Sequence, residues 1–271
     1  MNETVPRSPF RFHILGSSSS GNCALLVTPG ARILIDAGFS ARRIKQALLH
    51  VGENIEDIDA VFITHEHSDH ISGVPGLARL KRPVFFANQE TARAVDDTCE
   101  AARPRWKIFE TGTTFHFQGV TISAFSIPHD AADPVGYTFT FGGGDSSSPQ
   151  ETLAWVTDLG YVPQLVREKL KPVDYLVLES NYDPTMLANS PRPPSLKQRI
   201  KGRHGHLSND LALELLMTLE NDRLRRVFLA HLSRECNTPE LVDDALMAAK
   251  ALRRQCVFTV IHPAASVPVT L

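Results

Sequence analysis

The stretch Thr64-His65-Glu66-His67-Ser68-Asp69-His70 decides how this chain is read. It follows an apolar run whose β-branched and aromatic residues predict a buried strand over Ala60–Thr64. Three imidazoles and one aspartate carboxylate then reach a single loop. These are borderline ligands suited to Zn²⁺ or a similar divalent ion. A polar loop with histidines clustered by chance is the bland reading, and HxHxDH directly after a buried strand argues against it. Further candidate ligands also stand at expected strand ends. Asp36 follows Arg32–Ile35, His129 follows Ile127-Pro128, Asp158 follows Ala154–Thr157 and His231 follows Val227–Ala230. Strand ends collect functional groups because the scaffold is rigid there and the loop is open. Singly, each has a plain reading as a turn cap or a surface histidine; together they point to a metal centre.

Working outward, 271 residues suit one large domain or two small ones. With 28 basic and 30 acidic residues the formal net charge is −2. The composition, 42% hydrophobic and 21% charged, excludes a disordered chain. Near-neutral charge excludes a globally basic nucleic-acid coat, though not a local basic patch. No run reaches the ~18–20 consecutive apolar residues a membrane helix needs. Met1 to Phe10 holds no apolar signal-peptide core. Cys23, Cys99, Cys236 and Cys256 are far apart and form no CxxC pair, so they read as reduced thiols. A cytoplasmic protein is expected.

Strands are expected at Arg11–Leu15, Ala24–Thr28, Arg32–Ile35, Ala60–Thr64, Val84–Ala87, Thr113–Phe117, Val120–Phe125, Gly136–Phe141, Leu153–Thr157, Tyr175–Leu178, Val227–Ala230 and Val257–Ile261. Three helices are well marked. Ser40 caps one with Ile44, Ala47, Leu48 and Val51 on its apolar face; Ser208 caps a second; Thr238-Pro239 opens a third that runs through Leu252. This is too much sheet for a doubly wound fold, so an α/β or α+β chain with two stacked sheets and outer helices is expected. Gly142 to Pro149 reads as a Gly/Ser loop, and Asn189 to Arg203 as a proline-containing basic connector.

On Asp36, His65, His67, Asp69, His70, His129, Asp158 and His231 the chain resembles the metallo-β-lactamase superfamily over nearly its whole length. The resemblance implies a single domain over residues 1–271, a four-layer αββα sandwich of two mixed sheets. It also implies two divalent ions per chain (Zn, Mn, Fe or Ni). One ion would take His65, His67 and His129, and the other Asp69, His70 and His231. Asp158 would bridge them, with Asp36 orienting ligands from behind. Aspartate at the bridging step, where the β-lactamases proper carry cysteine, counts against β-lactam hydrolysis.

Three more segments, Leu178-Glu179-Ser180-Asn181-Tyr182-Asp183, Gly205-His206-Leu207-Ser208-Asn209 and Ala230-His231-Leu232-Ser233-Arg234-Glu235, resemble the nuclease branch. Gly16-Ser17-Ser18-Ser19-Ser20-Gly21-Asn22 is similar to the GSSSxGN signature of YycJ/WalJ-type exonucleases. The implied activity is 5′→3′ DNA exonuclease cleavage by a hydroxide bridging two ions. His206 would protonate the leaving oxygen, Glu179 would hold its tautomer, and Asp69 would serve both metal and catalysis. Ser17, Ser18, Ser19, Asn22 and Ser233 are candidate phosphate contacts. Arg192, Lys197, Arg199, Lys201 and Arg203 form the one concentrated basic run, a candidate DNA contact whose plain reading is a solvated connector, and Arg199, Lys201 and Arg203 are its candidate phosphate contacts. His13, His50, His116, His204 and His262 match no motif. The rival readings are a small-molecule hydrolase with the same site (glyoxalase II-like thioesterase, lactonase or cyclic phosphodiesterase) and a non-catalytic binding module, against which stands the complete ligand set.

Overall fold

The computed structural model describes residues 10–99, 103–142, 150–263 and 268–271. Within them the chain forms two seven-stranded sheets. The first comprises β1 (Arg11–Ser18), β2 (Gly21–Val27), β3 (Arg32–Ile35), β4 (Ala60–Phe62), β5 (Val84–Asn88), β6 (Trp106–Phe109) and β14 (Val269–Thr270), in the order β14-β1-β2-β3-β4-β5-β6. The second comprises β7 (Thr114–Phe117), β8 (Val120–Ser126), β9 (Val135–Phe141), β10 (Glu151–Val156), β11 (Tyr175–Glu179), β12 (Arg226–Ala230) and β13 (Val257–Val260), in the order β13-β12-β11-β10-β9-β8-β7. Both sheets are built alike. Antiparallel pairing runs from β14 to β3 and from β7 to β10, and parallel pairing continues from β3 to β6 and from β10 to β13.

The period-2 alternation of a strand explains the layering. Ala24, Leu26, Ile33, Ile35, Leu153, Trp155, Val177 and Phe228 point between the sheets into one shared core. Their neighbours point outward: Leu25, Leu34 and Val61 under helices on the first sheet, and Ala154, Val156, Leu176 and Leu229 under helices on the second. The first set of helices is α1 (Ala41–His50), α2 (Ser68–Ile71), α3 (Val74–Leu77) and α4 (Gln89–Thr98). On the second sheet lie α5 (Gln164–Leu170), α8 (Asn209–Thr218), α9 (Pro239–Ala245) and α10 (Met247–Leu252). Between α5 and α8, α6 (Pro184–Asn189) and α7 (Pro194–Lys201) pack on a small separate cluster of Tyr182, Leu187, Ile200 and Cys236. The result is the αββα sandwich. No helix among the described residues is long and apolar enough to cross a membrane.

Several boundaries differ from expectation. The first strand runs on through Ser18, so half of the serine run is sheet and not turn. Strands β6 and β14 and helices α2 to α7 were not expected. Pro194 stands in the first turn of α7, where its missing N–H costs nothing, so the basic connector is partly helical. Ser40, Ser208 and Thr238 cap helices through their side chains, but the third helix is interrupted at Leu246 and resumes as α10. Of the expected Gly/Ser loop, residues 143–149 lie outside the described residues.

Candidate active site

The site lies where the parallel strands of both sheets end. Asp36 follows β3, and Asp158 and His231 follow β10 and β12; their φ values are 57°, 62° and 58°. Left-handed backbone at a non-glycine residue costs on the order of 1–2 kcal/mol, a cost that persists where it aims a functional side chain. Asp36 is fully buried. Its carboxylate accepts the Thr64 N–H (2.8 Å) and the Thr64 hydroxyl (3.0 Å), and takes the Nδ1 proton of His70 at 2.8 Å. Close approach also matters here: a Cβ on Gly38 would lie 1.7 Å from the Asp69 carbonyl oxygen.

The other histidines are likewise held from behind, which fixes the ring and leaves the far nitrogen free. His129 Nδ1 donates to the Gly205 carbonyl (3.0 Å), His231 Nδ1 lies 3.1 Å from Glu179, and His65 Nδ1 lies 3.0 Å from the Thr64 hydroxyl. Gly205 must be glycine, because a Cβ there would meet the Ile200 carbonyl at 2.1 Å. Ligand-type atoms of His65, His67 and His129 gather within 4.8 Å of one another, and so do those of Asp69, His70, Asp158 and His231. Asp158 stands between the sets: its carboxylate is 3.2 Å from His70 Nε2, 3.3 Å from His231 Nε2 and 3.8 Å from His129 Nε2.

The donor set fits divalent cations. His65 Nε2 and Asp158 Oδ2 are buried without a hydrogen-bond partner, an arrangement that is costly unless a cation fills it. His67 Nδ1 and His129 Nε2 face each other at 3.3 Å, and the latter carries a bare lone pair when its Nδ1 holds the proton. Burial lowers the pKa of His65 and of His129, keeping both neutral as ligands must be. Burial raises the Asp158 carboxyl, yet the imidazoles of His231 and His70 outweigh it and hold the group well below the usual carboxylate range. The carboxylates in turn raise His70, and raise His231 to about 10, against burial. A field this favourable to protons also favours metal cations.

A third set, Asp158, Glu179, His206 and His231, also lies within ligand distance. Glu179 is already saturated there. Its Oε2 accepts the N–H groups of Leu159 (2.9 Å) and Leu207 (3.1 Å), and its Oε1 lies 2.8 Å from His206 Nδ1 and 3.1 Å from His231 Nδ1. Burial lowers the His206 pKa, but the Glu179 carboxylate prevails and raises it. A carboxylate so engaged orients imidazoles and has no lone pair to spare for an ion.

A cavity of about 210 Å³ opens over these groups, lined among others by Ser19, Asp69, Asn181, Arg192, Arg199, His206 and Ser233. The serine loop is divided. Ser19 faces the cavity, whereas Ser17, Ser18 and Asn22 are buried beneath it, a correction to their expected phosphate contact. The Ser17 hydroxyl donates to Asn22 Oδ1 (2.7 Å) and accepts the His231 N–H (2.9 Å); Asn22 Nδ2 lies 3.2 Å from His70 Nε2. These residues brace the ligands. The basic run divides too. Arg199 lines the cavity, but Lys201 and Arg203 do not, and Arg203 lies over the Tyr161 ring at 4.7 Å. Arg192, the first residue of the basic run, lines the cavity as well. Sequence reasoning passed over Asn181, whose amide donates to the His231 carbonyl at 2.8 Å, and also Asp130. Each sits one to two residues from, or inside, a segment already singled out.

With this geometry in hand, the comparisons are specific. Residues 31–232 match the family model of the β-lactamase superfamily domain. The chain is 35% identical to the exodeoxyribonuclease WalJ of Streptococcus pneumoniae over 88% of this chain and 87% of that protein. It is 33% identical to the exodeoxyribonuclease YycJ of Bacillus anthracis over 85% of each. The solved structure of YhfI, a metallo-β-lactamase fold protein from Bacillus subtilis, superposes with a TM-score of 0.72 at 14% identity, covering 97% of this chain and 100% of that one. The chain belongs to the metallo-β-lactamase superfamily and, within it, to the family of WalJ and YycJ.

Proposed function

We propose that this protein is a metal-dependent DNA exonuclease, a single domain that works in the cytoplasm, binds two divalent ions and removes nucleotides from a 5′ end. The observation that carries the reading is the convergence of seven ligand-type residues in two sets that meet at Asp158, beside the Glu179–His206 pair. His65, His67 and His129 would hold one ion, and Asp69, His70 and His231 the other, with Asp158 shared. Such ions supply Lewis acidity and a potent oxygen nucleophile at neutral pH. The chain supplies the rest. Asp36, Gly205 and Glu179 fix the imidazoles. Glu179 holds the Nδ1 proton of His206, so that Nε2 is left to protonate the departing ester oxygen. The arginines on the cavity wall favour a polyanion over a neutral lactone or thioester.

The test is parallel incubation of Mn²⁺-loaded protein with duplex DNA, single-stranded DNA and RNA, each labelled at the 5′ or the 3′ end. The 5′-labelled DNA should release its label as mononucleotide while the 3′-labelled strand shortens stepwise. Inert nucleic acids together with rapid thioester or lactone hydrolysis would overturn the reading.

A further inference from the structure

Two arginines on one wall of the cavity are held in a way that differs from the other basic residues of this segment. Arg192 precedes α7, and Arg199 lies on it; Leu196 and Ile200 complete the same face at spacings of three and four residues, and all four line the cavity. Each arginine is tethered through Nε alone. Arg192 Nε donates to Glu235 Oε2 at 3.0 Å, and Arg199 Nε to Asp130 Oδ2 at 2.5 Å. Among the described residues their terminal nitrogens donate no hydrogen bond. Arg253 shows the structural alternative: it spends Nε, Nη1 and Nη2 on the carbonyls of Leu216, Asn221 and Leu219.

A guanidinium fixed at Nε and open at its two Nη groups is a preorganised fork for a phosphate. Part of the side-chain entropy that binding would cost is already spent on the carboxylate tether. From this geometry we infer that Arg192 and Arg199 form a clamp for backbone phosphates of the nucleic-acid strand. Leu196 and Ile200 between them offer an apolar surface to the intervening sugar or base. Asp130 and Glu235 are positioning residues for the clamp. Lys201 and Arg203, outside the cavity, take no part. This rests on the nucleic-acid reading above and names the residues that select the substrate.

The experiment combines equilibrium binding of a fluorescent phosphorothioate oligonucleotide with turnover of a cleavable one and of bis(p-nitrophenyl) phosphate, all on metal-replete protein. Arg192→Gln and Arg199→Gln should each weaken oligonucleotide binding and raise KM about tenfold, the effect of one charge-assisted hydrogen-bond pair. Each should also lower the salt dependence of binding by about one contact. The loss on the oligonucleotide should exceed that on bis(p-nitrophenyl) phosphate by about the same factor. Lys201→Gln and Arg203→Gln should change oligonucleotide affinity less than twofold. An effect confined to 5′-phosphorylated strands assigns the clamp to the terminal phosphate; an equal effect on 5′-hydroxyl strands assigns it to internal ones. Tight binding and cleavage that both arginine variants preserve would overturn the clamp and leave the nuclease reading standing. A wild-type protein that neither binds nor cleaves nucleic acid would overturn both.

Discussion

His206 is the residue whose role separates proton transfer from metal binding. It is held by Glu179 at 2.8 Å through Nδ1, and the same nitrogen lies 3.7 Å from Asp158, beside the candidate ligand set. Burial raises the Glu179 carboxyl, but the His206 imidazole outweighs this and keeps it ionised. The Glu179 carboxylate therefore favours the protonated imidazole, the form an acid catalyst uses. His206→Ala should keep both ions and lose DNA turnover by ~10²–10⁴-fold, the usual range for a positioned general acid. On a nitrophenyl phosphodiester, whose leaving group needs no protonation, the variant should lose far less. Equal losses on both substrates, or a lower metal content by elemental analysis, would make His206 a ligand.

At the scale of elements, three turns carry Glu179, His206 and His231, and one buried hydrogen-bond triangle ties the turns together. Ser180 follows β11, Asn209 opens α8 and Asn237 precedes α9. Ser180 Oγ donates to Asn209 Oδ1 at 2.6 Å, while Asn209 and Asn237 exchange amide hydrogen bonds at 3.0 and 2.9 Å. Asn237 also donates to the Ser180 carbonyl at 2.9 Å. Glu179, His206 and His231 stand one, three and six residues from these corners, which explains why the LESN, GHLSN and HLSRECN segments occur together. Asn237→Ala would leave at least two buried groups unpaired, at about 1–3 kcal/mol each. Urea denaturation should show a loss of about 2–4 kcal/mol, with kcat falling more than oligonucleotide affinity. A midpoint within error of wild type would mean that water replaces the amide. What could be read from sequence at this scale depended on local signals. Ser40, Ser208 and Thr238 announce helices through their own side chains. Strand β14 has no such signal, because its pairing partner His13 lies at the other end of the chain. Helix α7 is hidden in a segment whose Pro191, Pro193 and Pro194 suggest a connector, although Pro194 occupies the one turn of a helix that welcomes proline. Asp36, Asp158 and His231 were legible as strand-end residues, but their left-handed backbone was not, since no glycine marks it.

Across the whole molecule, the site is a place where polar groups join the two sheets. His65 and His67 follow β4, and Asp69 and His70 lie on α2, all on the first sheet; His129, Asp158 and His231 follow strands of the second. Each ligand set therefore draws on both halves, and each ion would cross-link them. The apolar interface between the sheets, which includes Phe62, Tyr137, Trp155 and Phe228, is built without the site residues. Removing metal should thus loosen the mouth of the sandwich without unfolding it. Asp36, Asp69, Asp158 and Glu179 would then face one another with only imidazoles between them. A ligand present at a hundred times its dissociation constant stabilises the native state by about 2.7 kcal/mol. For a chain of this size that corresponds to a Tm shift of about 5–10 °C. Calorimetry of chelator-treated protein should show this fall, with recovery on adding Mn²⁺ or Zn²⁺ and saturation near two equivalents. Near-ultraviolet circular dichroism should persist, because Trp155 and its aromatic neighbours stay packed. A Tm that does not move although elemental analysis shows the metal gone would mean that the ions do not bridge the halves. Saturation at one equivalent would remove the second ion.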